Sequence, residues 1–104
     1  MLIVTTETVA GKEILEVYGY VKGSTIQSKH LGKDIGASFK GLVGGELTSY
    51  NEMLTEARQI AIGRMVEDAE KKGANAIIGF RLQSVGVMQG AAEILAYGTA
   101  VTIA

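Results

Sequence analysis

Cysteine, proline and tryptophan are absent from this 104-residue sequence, and histidine occurs once, at His30. Without cysteine there is no disulfide framework, no thiolate nucleophile and no thiolate metal ligand, which fits a reducing compartment. Without proline, the 14 glycines must supply every special backbone position. Charge of one sign is also missing. Ten basic residues face 11 acidic ones for a net charge of −1, which gives no electrostatic reason to expect nucleic acid or an anionic membrane as partner. No apolar run approaches the ~18 residues of a membrane span. Met1-Leu2-Ile3-Val4-Thr5-Thr6 has neither the basic region nor the apolar stretch of a signal peptide. The expectation is a cytoplasmic protein forming a single domain over residues 1–104, a length that supports one core and not two.

What is present is organised around Gly44 to Gly73. Ser49 and Glu52 have the Ser-x-x-Glu spacing of a capping box, which predicts a helix from Tyr50 to Lys72. Lys71 and Lys72 suit the negative end of its dipole, and Gly73 follows where a left-handed residue ends a helix. Glu67 with Lys71 and Asp68 with Lys72 form two i,i+4 pairs in the favourable order. Ala57, Ala61, Met65 and Ala69 make one apolar ridge, widened by Met53, Ile60 and Val66 beyond the ~100° needed to cover one sheet. A helix so widely apolar in so short a chain calls for a second partner, and the economical partner is another copy.

The rest reads as strand. Leu2 to Thr6 is a short β-branched run and Glu13 to Gln27 a long strand, with Leu15, Val17, Gly19, Val21 and Gly23 on one face and Ile14, Glu16, Tyr18, Tyr20 and Lys22 on the other. Gly19 and Gly23 mark a place where the helix can lie close. Lys29 to Gly41 has Ile35, Phe39, Leu42 and Val43 at helical spacing and predicts a short amphipathic helix, weakened by its glycines. Ala74 to Met88 is a strand with Ile78, Phe80 and Leu82 on one face and Ile77, Gly79, Arg81, Gln83 and Val85 on the other. Ala92 to Ile103 places the small residues Ala96, Gly98 and Ala100 beside Ile94 on one face. Its opposite face, Glu93, Leu95, Tyr97, Thr99, Val101 and Ile103, is largely apolar as well, and a sheet apolar on both faces must be covered on both.

Four ordered motifs run through nearly the whole chain: Gly44-Gly45-Glu46 with Tyr50; Ala57-Arg58 with Ala61; Gly73-Ala74-Asn75-Ala76-Ile77-Ile78-Gly79; and Ala96-Tyr97-Gly98-Thr99-Ala100-Val101. They resemble the YbjQ-like family, small uncharacterised bacterial and archaeal proteins sometimes labelled heavy-metal-binding. The resemblance implies an α+β subunit of dodecin-like arrangement and a ring-shaped homo-oligomer, a pentamer. The fold expected is therefore a mainly antiparallel sheet with one long helix and a shorter preceding helix, assembling into a ring. The family supplies no catalytic residue to carry over.

The residues themselves offer little chemistry. His30 has Ser24, Ser28 and Asp34 nearby in sequence but no nucleophile-elbow pattern, and it reads as a surface histidine. No phosphate-binding glycine motif occurs. Soft metals prefer thiolate, thioether or imidazole, and four Met with one His give no paired ligand spacing. A metal ion, divalent or heavy, would need His30, Glu46 or Glu93 from several chains around a symmetry axis. Glu46 stands out, an acid beside two glycines at a positive helix end. It reads either as a ligand or metal contact in a subunit crevice, or as a cap for backbone amides or a partner of Arg58 or a neighbour's Arg81. The candidate ligand-binding residues are Gly44, Gly45, Glu46, Tyr50 and Arg58, and the candidate metal ligands are His30 and Glu46. The expected function is a binding or structural module with a small ligand or ion at subunit interfaces; the alternative is an enzyme with an inter-subunit site around Glu46.

Overall fold

The computed structural model describes residues 1–28 and 45–104, the side chains of residues 45–50 excepted. Four strands and one helix follow in the order β1 (Leu2–Ile3), β2 (Ile14–Ser28), α1 (Gly45–Lys71), β3 (Ala76–Met88) and β4 (Ala91–Ile103). The strands form one sheet in the order β1-β3-β4-β2. β4 is central and pairs antiparallel with both β2 and β3, whereas β1 pairs parallel with β3 through Leu2–Ala76 and Ile3–Ile77. The sheet is therefore mixed, and the described residues carry one helix. The expectation of a mainly antiparallel sheet with two helices is corrected to a mixed sheet and, among the described residues, one helix. A two-residue strand such as β1 is too short to show its pairing direction in sequence, and the helix expected over 29–41 lies outside the described residues.

α1 is 27 residues long, so at ~1.5 Å per residue it runs about 40 Å along the sheet. It begins four residues before the expected capping box, so Ser49 is inside the helix and the Gly45-Glu46 pair forms its first turn. Its end is as expected. Gly73 takes a left-handed φ of 86°, its amide reaches the Glu70 carbonyl at 3.0 Å, and the Ala74 amide reaches that of Ala69 at 3.2 Å. That pair of bonds is the Schellman motif, for which glycine has no steric penalty. Asp68 and Lys72 meet at 3.9 Å.

The helix lies over β2 and β4 and barely reaches β3. Ala57, Ala61, Met65 and Ala69 are fully buried against Val21, Ile77, Ile94, Ala96 and Ala100. Burying each of the larger side chains is worth ~1.5–3 kcal/mol. The small residues let the layers close. At Gly23 a Cβ would overlap the Ala61 carbonyl and the Met65 amide, so the helix backbone rests directly on this strand.

Both long outer strands change face at a glycine. In β2 the register against β4 shifts between Val17 and Gly19, where Gly19 has φ 98°. Tyr18 therefore shares the helix-side face with Val21 and Gly23, and Val17 joins Tyr20 and Lys22 on the outer face. In β3 the shift falls between Ile78 and Arg81, with Gly79 at φ 62°. Ile77, Phe80 and Leu82 thus face the helix side. The strict alternation expected from sequence is corrected in both strands, because a bulge inserts one residue and inverts every side chain beyond it.

Candidate functional site

The candidate residues converge only in part. Gly45 and Glu46 open α1 and Tyr50 follows within it. Gly44 and His30 lie outside the described residues. Arg58 is exposed on the same helix. At ~100° per residue Glu46 and Tyr50 differ by ~40° round the α-helix but Glu46 and Arg58 by ~120°, so the three do not share one face. Glu46 and Arg58 are also about 18 Å apart along the axis, beyond the reach of an ion pair. The expected Glu46–Arg58 pairing within one chain is thereby corrected. Arg81, the other cation considered for Glu46, donates within its own chain to the Thr5 and Phe80 carbonyls at 3.0 and 2.7 Å.

Arg58 does border a hollow. With Leu82, Gln83, Ser84 and Ile94 it lines about 140 Å³ between α1 and β3, space for an ion or a few waters and not for a metabolite of ordinary size. Among the described residues, the helix sits over β2 and β4 and leaves the flank of β3 open. A second concavity of about 340 Å³ lies on the outer face of the sheet, walled by Tyr20, Lys22, Gln83, Leu95 and Tyr97. The register sets it up by placing Lys22, Tyr97 and Arg81 in one cross-strand row and Ser24, Leu95 and Gln83 in the next. Its lining is almost wholly apolar apart from one ammonium, an amide and two phenol groups. Sequence reasoning missed this place because it could not show that β2 and β3 flank β4, the pairing that brings Tyr20, Lys22 and Gln83 together around Leu95 and Tyr97. The two-sided apolar pattern of β4 was the available signal.

Arg64 and Asp68, one turn apart, act at the edge of β2. The Arg64 guanidinium donates to the Ser24 carbonyl at 2.7 Å, and the Asp68 carboxylate accepts the Lys22 amide at 3.3 Å. At the opposite end the Asn75 side chain takes the place of a strand beside β4: it donates to the Ile103 carbonyl at 3.0 Å and accepts its amide at 2.8 Å. Tyr18 and Thr102 share a hydroxyl hydrogen bond of 2.8 Å near the helix end.

The comparisons with known proteins agree with one another. A family model described as "Putative heavy-metal-binding" matches residues 1–104. The chain belongs to the YbjQ-like family. A UPF0145 protein of Clostridioides difficile is 79% identical over 103 residues, covering 99% of this chain and 92% of the relative. UPF0145 proteins of Halalkalibacterium halodurans and Methanosarcina acetivorans are each 62% identical over 103 residues, covering 99% of this chain and 97% of theirs. Among solved structures, a Pediococcus pentosaceus protein with unknown function, assigned to the DUF74 family, superposes with a TM-score of 0.60 at 19% identity, over 100% of this chain and 98% of that one. That likeness supports the YbjQ-like fold alone.

The metal in the family description can be tested against the donors of this chain. Among the described residues no three His, Asp or Glu side chains gather closely enough to hold an ion, and there is no cysteine. Met65 is fully buried in the core. A soft-metal site of thiolate, thioether or imidazole donors does not fit the described part of one YbjQ-like subunit.

Proposed function

We propose that this protein, acting as one domain over residues 1–104 in the cytoplasm, is a homo-oligomeric binding or structural module. Its copies form a ring, a pentamer by its kinship with YbjQ-like proteins, and their interfaces hold a small ligand or ion. The observation that carries this reading is the outer face of the sheet. Val17, Tyr20 and Ile26 are 61, 74 and 64% exposed there, although a folded chain gains by removing such side chains from water. The ligand site proposed is a subunit crevice formed by Gly44, Gly45, Glu46, Tyr50 and Arg58. Any metal bound would be held between copies by His30 and Glu46, a donor set suited to hard or borderline cations more than to soft ones.

Native mass spectrometry of the protein as purified tests this reading. The expected result is a multiple of the 11.0 kDa subunit mass with any retained ligand or metal visible as added mass. A monomer at micromolar concentration overturns it. Glu46→Gln then separates the two roles of that residue: an intact ring that loses the added mass marks a ligand contact, and a lowered subunit number or melting temperature alone marks a structural one.

A further inference from the structure

We propose that the concavity on the outer face of the sheet is a binding site for a small planar aromatic carboxylate, a flat apolar ring system carrying one negative charge. The site goes beyond the reading above, which places a ligand at the start of α1. It needs no second copy, because its walls, Tyr20, Lys22, Gln83, Leu95 and Tyr97, all belong to one chain. The strand registers build it. Lys22 stands opposite Tyr97, and Ser24, Leu95 and Gln83 form the next row. Tyr20 stands opposite Thr99, one row to the other side. Side chains directly opposite on paired strands are ~5 Å apart and diagonal ones ~7–8 Å, so both phenol rings and the ammonium border the same hollow.

Shape, charge and size each narrow the occupant. The two phenol rings and the Leu95 side chain are apolar bodies, and aromatic rings attract a further ring beyond the area they bury. The Lys22 ammonium is the only charged group in the lining. Among the described residues no carboxylate lies within 4.0 Å of it, so a ligand carboxylate would be its partner. Its backbone is held from the side, where the Lys22 amide donates to the Asp68 carboxylate at 3.3 Å.

Arg81 continues the row on the other side of Tyr97, which adds positive potential beside that ring. Glu93 stands opposite Ile26 and Val85, one row beyond Leu95 and away from Lys22. A negative charge is therefore favoured at the Lys22 end and opposed at the Leu95 end, which selects one carboxylate over two. The Gln83 amide and the phenol hydroxyls can donate further hydrogen bonds. A volume of about 340 Å³ is near the lower end of the ~300–1,000 Å³ of small-molecule sites, which suits one ring or two fused rings.

The probe is 2-naphthoate, whose fluorescence is read without interference from tryptophan, which the chain lacks. It is titrated into the whole chain beside its uncharged twin 2-naphthamide, and into Lys22→Met and Tyr20→Ala, two changes at exposed side chains, with circular dichroism to check folding. Amide chemical shifts of the wild type locate the contact. Expected are saturable binding of one naphthoate per chain in the range of about 1 mM or tighter, and shifts centred on Tyr20, Lys22, Leu95 and Tyr97. Affinity should fall about threefold or more for 2-naphthamide and for Lys22→Met, and also for Tyr20→Ala. High salt should weaken binding to the wild type and leave Lys22→Met unchanged. No saturation, equal affinity for naphthoate and naphthamide, or an undiminished Lys22→Met overturns the inference, and so do shifts confined to α1. Native mass spectrometry of the same samples keeps the two readings apart. A monomer that binds overturns the oligomeric reading alone, and an assembled protein that does not bind overturns this inference alone. Should a variant not fold, naphthamide and the salt dependence of the wild type decide.

Discussion

Gly23→Ala tests the way the helix sits on the sheet. The added methyl would overlap the Ala61 carbonyl and the Met65 amide, with the Arg64 Cβ at 2.7 Å. All three belong to α1, and two are backbone, so no side-chain rotation can clear the space. The helix must lift from β2 or the strand must bend. Overpacking a core costs ~1–3 kcal/mol, and a clash with backbone belongs at the upper end, about 3. Against that, alanine restricts the unfolded chain and recovers roughly 0.4–1 kcal/mol. The net is a loss of about 2 kcal/mol, or roughly 8–16 °C in Tm for a domain of this size. Gly63→Ala is the matched control. It lies in the same helix, exposed, with nothing within 4 Å of the added methyl, and there alanine should stabilise by about 1 kcal/mol. Urea unfolding of both variants at one fixed protomer concentration reads the two signs, the fixed concentration removing any effect of assembly. A Gly23→Ala protein within 0.5 kcal/mol of wild type, on the scale of ordinary surface changes, would refute the close approach.

Gly79→Ala and Gly19→Ala should each lose about 1–3 kcal/mol in urea unfolding, because φ values of 62° and 98° are strained for a residue with a Cβ. Gly86→Ala, with neither positive φ nor a close neighbour, should be near neutral. Asn75→Ala removes both hydrogen bonds to Ile103 and should cost about 1–3 kcal/mol in a thermal melt; an unchanged melt would show that water replaces the amide. Replacing Arg64 by Met and Asp68 by Asn should move stability by less than ~1 kcal/mol, as both interactions are exposed. The same pair should raise light scattering on warming, since it uncovers the edge of β2. Glu46→Gln and Arg58→Ala, ~18 Å apart on one helix, should be additive within about 0.5 kcal/mol in dilute monomer, with coupling appearing only once copies assemble.

Much of the fold can be read from residues whose local and distant roles agree. Ala57, Ala61, Met65 and Ala69 are spaced for one helix face, and all four are fully buried. Gly73 ends the helix as its position suggests, and the small face of β4 meets the helix. The faces of β2 and β3 could not be read by alternation, because Gly19 and Gly79 each insert a residue that the period-2 pattern has no way to register. The helix start was misread for a related reason. Ser49 and Glu52 have the spacing of a capping box, but Gly45 to Thr48 continues the helix N-terminal to it, and a motif four residues long cannot exclude that. The site was legible only in outline. Glu46, Tyr50 and Arg58 do lie on one helix, but the row of Tyr20, Lys22, Leu95 and Tyr97 depends on two strand registers set by tertiary pairing.

The 18 Å between Glu46 and Arg58 bears on how a site could be shared. One copy cannot bring the acid at the start of α1 and the guanidinium three turns later onto a single small ligand. Arg58, however, borders the hollow whose other walls include Leu82, Gln83 and Ser84, on the flank of β3 that α1 leaves open among the described residues. A small anion or carboxylate seated in the hollow would meet the Arg58 guanidinium, and any cover that kept water out would strengthen that attraction by lowering the local dielectric. Among the described residues the helix offset that leaves the flank of β3 open creates the hollow and its bordering cation together, so a change that draws α1 over β3 should remove both.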